Sequence, residues 1–127
     1  EANVPKISVV TRKAYGGAYV VMSSKYLGTD FNFAWPSAEI AVMGPEGATN
    51  ILHGKNLENA EDPAAERARL EDEYRQHYLT PYAAAHAGYV DEVIEPAETR
   101  SKIICALKAI QHKSEPRPPR KHGNMPV

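Results

Sequence analysis

With a single cysteine among its 127 residues, Cys105, this chain can form no intramolecular disulfide, and nothing in it matches the ligand spacing of a zinc site. It also has no apolar run near the roughly 20 residues of a bilayer-spanning helix. The opening EANVPKISVV has neither an initiator Met nor the basic-then-apolar pattern of a signal peptide, so it reads as an entry in mid-chain. A reducing, cytoplasmic setting is the default expectation. A formal net charge of −1 gives no reason to expect nucleic-acid binding. Also missing are a Ser, His and Asp set, paired carboxylates at a convincing spacing, and a Walker-type phosphate loop. The five histidines, His53, His77, His86, His112 and His122, are scattered and are expected at surfaces or helix ends rather than as general bases. Cys105 lies in ETRSKIICALKAIQ among apolar neighbours and is expected as a buried structural thiol.

What remains is the composition of one folded domain, 43% hydrophobic and 24% charged. KISVVT, residues 6–11, is rich in β-branched side chains and predicts a strand. After two glycines, residues 18–23 can continue as a buried helix. FNFAWP is a second extended stretch ended by Pro36, and EIAVM a third. GPEGATNILHG predicts a helix opened by Pro45 and closed near Gly54. Asp62 as N-cap with Pro63 starts a long helix whose acids and bases form a solvated face with i,i+4 pairs.

Pro81 ends that helix and the short helix YAAAHAG follows, with Gly88 as its stop. YVDEVIEP alternates like a strand, and Pro96 and Glu98 open a last helix with Ile103, Ile104, Leu107 and Ile110 on one apolar face. These elements make an α/β chain over residues 1–113, followed by an extended Pro-rich basic tail, residues 114–127.

Chemistry concentrates in AYGGAYV. A strand running through Gly-Gly-Ala into a helix leaves the first helical N–H groups without intrahelical acceptors, where an oxyanion meets donors and the positive end of the helix dipole. Small residues let a planar ligand reach the backbone. A doubled glycine at such a turn is also what a tight reversal alone would require.

RKAYGGAYVVMSSKYLG followed by FAWPSAEIAVMGPEGA resembles the C-terminal half of the carboxyltransferase β subunit of biotin-dependent acyl-CoA carboxylases. The resemblance extends through TPYAAAHAGYVDEVIEPAETR to RKHGNMPV and covers essentially the whole chain. It implies a crotonase-like domain of ββα units, the C-terminal portion of a longer subunit. It also implies that Gly17 and Ala18 donate backbone N–H bonds to the ureido oxygen of biotin, with no metal or protein base needed at this half-site. As carboxybiotin releases CO2, charge builds on that oxygen; the biotin then takes a proton from the acyl α-carbon, and the resulting carbanion attacks CO2.

Gly16 is expected to supply the turn. Tyr15 and Tyr19 either line the substrate pocket or pack as aromatics flanking the turn. At Val20, propionyl-specific members of the family tend to carry Asp, which leaves the acyl chain, propionyl or acetyl, open. The implied partners are an N-terminal acyl-CoA-binding carboxyltransferase domain, a biotin carboxylase and biotin carrier subunit, acyl-CoA, and further copies in a hexamer. Alternatives are the carboxyltransferase subunit of a sodium-pumping methylmalonyl-CoA decarboxylase and a non-catalytic assembly domain. A eukaryotic member would reside in the mitochondrial matrix.

Overall fold

The computed structural model describes residues 4–114 and residue 116. Two ββα units open it. The first is β1 (Ile7–Val10), β2 (Lys13–Tyr15) and α1 (Gly16–Val21); the second is β3 (Phe31–Ala34), β4 (Glu39–Ala41) and α2 (Pro45–Glu58). Equivalent strands of the two units pair in parallel. β1 runs beside β3 with Ile7 opposite Phe31, and β2 beside β4 with Ala14 opposite Ile40. The chain then continues through α3 (Pro63–Tyr78), α4 (Pro81–His86), β5 (Glu92–Val93) and α5 (Thr99–Ala109). β5 joins the free side of β3, giving the sheets β1-β3-β5 and β2-β4.

This arrangement follows from burial on both faces of the middle strand, the usual condition of a parallel sheet. Phe33 meets Ile94 and Ala106 on one side of β3, while Ala34 meets Val10, Tyr19, Ile40, Ala84 and Val90 on the other. α3 carries the capping and ion pairs that its sequence announces. Asp62 accepts hydrogen bonds from Ala64 and Ala65, and Arg69 pairs with Glu66 at 2.7 Å and Glu73 at 3.1 Å. Such exposed pairs are screened by solvent and contribute little to stability. The helix is held mainly by Leu70 and the proline-led cap.

Several expectations are corrected. Cys105 is exposed rather than buried. α5 turns Thr99, Ile103 and Ala106 inward with its C-cap Ile110, so Ile104 and Cys105 fall on the open side of the helix and Leu107 at its margin. The small Ala106 at the centre lets the helix sit close to Phe33 and Ile94, a role that a hydrophobicity pattern cannot rank above the isoleucines.

α1 begins at Gly16, ends at Val21, and buries only Tyr19, whereas Val21 and Met22 are 72% and 75% exposed. It stops because Ser23 adopts a left-handed φ of 70°, a conformation tied to the next loop by Thr29. α2 runs through Gly54 to Glu58, because nothing there needs positive φ. β2 is a separate strand that the sequence pattern did not announce. Gly88, at φ +81°, ends α4 as expected. The tail lies outside the described residues apart from 114 and 116.

Candidate functional site

Gly16 joins β2 to α1 in a left-handed conformation, φ +56°, and a Cβ there would lie 2.8 Å from the Val42 carbonyl oxygen. Only glycine meets both conditions without strain. Gly17 differs: its φ is not positive, and a Cβ would find no atom within 4 Å. The N-cap residue, Tyr15, gives α1 no side-chain hydrogen bond. Gly17 and Ala18 are exposed, so their N–H groups, in the first turn where no intrahelical acceptor exists, are open to an outside one.

Beside this turn lies a cavity of about 830 Å³. Gly16, Gly17, Tyr19 and Val20 form one wall and Ile40, Ala41 and Val42 of β4 a second; the alanines Ala83, Ala84 and Ala87 form a third. Two pairs of tyrosines complete it, Tyr26 with Tyr89 at 5.0 Å between ring centres and Tyr74 with Tyr78 at 5.3 Å. Among the described residues, no carboxylate, ammonium or guanidinium belongs to this lining. The cavity therefore suits an uncharged ligand with flat apolar faces and one hydrogen-bond acceptor.

Of the two tyrosines flanking the turn, only Tyr19 lines the cavity. Tyr15 donates its hydroxyl to Glu39, and its ring lies against Gly44. Burial, followed by that hydrogen bond, pushes the Tyr15 phenol from 10.0 up to about 12. The folded protein therefore keeps a proton that the unfolded chain loses, and this part of its stability, complete below pH 10, drains away as pH rises toward 12. Tyr15→Phe should flatten the fall of melting temperature across that alkaline window; an unchanged slope would assign the fall to other groups.

The model of the carboxyl transferase domain matches residues 1–125. This chain belongs to the carboxyl transferase domain family. It is 56% identical over 127 residues to the propionyl-CoA carboxylase carboxyltransferase subunit of Haloferax mediterranei, covering 100% of this chain and 25% of that protein. The biotin-dependent acetyl-/propionyl-coenzyme A carboxylase beta5 subunit of Mycobacterium tuberculosis is 51% identical over 131 residues, covering 100% of this chain and 24% of that one. The transcarboxylase 12S crystal structure, with methylmalonyl-coenzyme A and methylmalonic acid bound, superposes with a TM-score of 0.90 at 54% identity, over 99% of this chain and 24% of that one. The crotonase-like fold of ββα units that the resemblance implied is thereby shown. The chain spans about a quarter of the length of the curated relatives it matches.

Within this carboxyltransferase fold, Tyr19 is held by its hydroxyl. Asn32 Nδ2 donates to it at 3.1 Å, and the hydroxyl reaches the Tyr89 carbonyl at 3.5 Å. Burial raises the Tyr19 phenol above its ordinary range, partly offset by the Asn32 hydrogen bond. The structure thus brings Gly16, Gly17, Tyr19 and Val20 together, leaves Tyr15 behind the turn, and leaves Ala18 out of the lining. Reading the sequence alone missed the rest of the cavity. Two signals were present: the i,i+4 pair Tyr74 and Tyr78 on the otherwise charged α3, and the alanine run on α4, whose lack of bulk makes the space.

Proposed function

We propose that this chain supplies the biotin half-site of an enzyme that moves a carboxyl group between biotin and the α-carbon of a short acyl-CoA. The observation that carries the reading is a cavity without a charged group among its described lining residues, lined by Gly16 and Gly17 at the start of α1, where the Gly17 and Ala18 N–H groups have no intrahelical acceptor. Acyl-CoA carries phosphates, which call for cationic partners absent from this lining, whereas the neutral fused rings of biotin offer flat apolar faces and a ureido oxygen. Bound there, biotin supplies the carrier chemistry, with negative charge developing on its ureido oxygen as the carboxyl group leaves.

The chain's own contribution is preorganisation. Gly17 and Ala18 present two donors where that charge develops, and such donors need no reorganisation during reaction. Gly16 holds the turn against Val42, while the tyrosines and alanines exclude water and so strengthen the donors' field. The acyl-CoA half-site, on this reading, lies on an N-terminal domain, and biotin arrives on a carrier subunit. The 12S structure is described as a hexamer assembly, which supports association of several copies.

The test is carboxyl transfer to free biotin. A full-length carboxyltransferase subunit carrying this sequence should catalyse it, and the isolated chain should not; robust activity of the chain alone would contradict the division into half-sites. Val20, on the cavity wall, is the residue to vary for acyl selection. In that full-length subunit, Val20→Asp is expected to move the ratio of kcat/KM for propionyl-CoA over acetyl-CoA upward several-fold. An unchanged ratio would remove Val20 from substrate selection.

A further inference from the structure

Asn32 is 0% exposed on the central strand β3, yet its Oδ1 finds no partner among the described residues. A buried amide with an unmet acceptor is costly, and an apolar side chain of similar volume would avoid that cost. What the amide provides is its contact with Tyr19, the one buried residue of α1. α1 has six residues, no side-chain cap, and exposed Gly17, Ala18 and Val21, so Tyr19 is its main anchor to the rest of the fold. The Tyr19 hydroxyl on Asn32 is therefore one of the contacts that fix α1, beside the packing of Tyr19 in the core, its reach to the Tyr89 carbonyl and the hydrogen bonds that Ser24 donates to the Val20 carbonyl.

We infer that Asn32 is a positioning residue for the α1 donors, acting through Tyr19 to hold the Gly17 and Ala18 N–H groups toward the cavity. The inference rests on the biotin half-site proposed above. Asn32 is well placed for the task, because its backbone is rigid. Asp91 N donates to the Asn32 carbonyl at 2.8 Å, and the Asp91 carboxylate accepts from Asn32 N at 2.7 Å while pairing with Lys25. The same hydroxyl reaches the backbone of Tyr89, whose ring forms part of the cavity wall, so sheet, helix and wall are coupled through one phenol.

The experiment compares the parent with Tyr19→Phe, Asn32→Leu and the double variant. Tyr19→Phe alone strands the Asn32 amide and is expected to lower the melting temperature. The double variant replaces both partners by apolar groups and is expected to recover it. In a full-length subunit carrying this sequence, the double variant should still lose about tenfold in kcat with free biotin, with KM for acyl-CoA unchanged. In the 127-residue chain, titration with free biotin should shift the Gly17 and Ala18 amide signals of the parent and shift them much less in the double variant. If kcat and the amide response recover together with the melting temperature, Asn32 is structural only and the inference is overturned. If the parent's Gly17 and Ala18 signals ignore saturating biotin, the half-site reading falls and takes this inference with it. A parent that responds beside a double variant that responds equally would overturn the positioning role alone.

Discussion

Gly17→Val in a full-length carboxyltransferase subunit carrying this sequence should reduce biotin-dependent transfer by about 10²–10³-fold, on the scale of losing an oxyanion donor, while leaving the melting temperature in place. The two halves of that expectation have separate causes. A Cβ at Gly17 meets no atom within 4 Å, and the backbone there is not left-handed, so the fold has room for the side chain. Valine would instead occupy the space through which a planar ligand approaches the backbone donors. The substitution keeps the N–H group and removes access to it. Parallel assays of transfer, melting and subunit assembly decide the matter. Unchanged transfer would leave the turn with a purely structural role and favour the assembly reading of the chain.

Gly16→Ala, one residue earlier, should do the reverse and act first on stability. The left-handed conformation costs a side chain about 1–2 kcal/mol, and a Cβ at 2.8 Å from the Val42 oxygen forces either β4 or α1 to move. A total of about 2–4 kcal/mol is expected, lowering the melting temperature by roughly 6–15 °C for a domain of this size. Transfer should fall as well, since α1 carries the donors with it. Thermal or urea unfolding checks the prediction, and a melting temperature within a degree or two of the parent would show that the turn relaxes without cost. Side by side, the adjacent glycines separate backbone necessity from ligand access, two roles that look identical in the string GG.

The order of elements apart from β2, the N-cap at Asp62, the prolines that start α2, α3 and α4, and the stop at Gly88 were legible in the sequence, because each is local chemistry within a few residues. The ββα architecture and the family were legible through the blocks RKAYGGAYVVM and FAWPSAEIAVMG, and the paired units bear them out. Element faces were less so. Cys105 and Leu107 looked buried because their neighbours are apolar, but α5 is oriented by the fit of Ala106 onto Phe33 and Ile94, a contact made across residues far apart in the chain.

The sequence by itself determined that a strand would turn through glycine into a helix with unpaired N–H groups, since steric freedom and helix geometry require only local residues. Only the tertiary structure decided which glycine is indispensable to the backbone and which keeps a path open, because the distinction rests on the Val42 carbonyl, 26 positions beyond Gly16. It also decided that Tyr19 faces the cavity while Tyr15 turns to Glu39, and that Asn32 reaches the Tyr19 hydroxyl. Those contacts join separate ββα units and the later helices. They exist only once parallel pairing has set the register between strands that are remote in sequence.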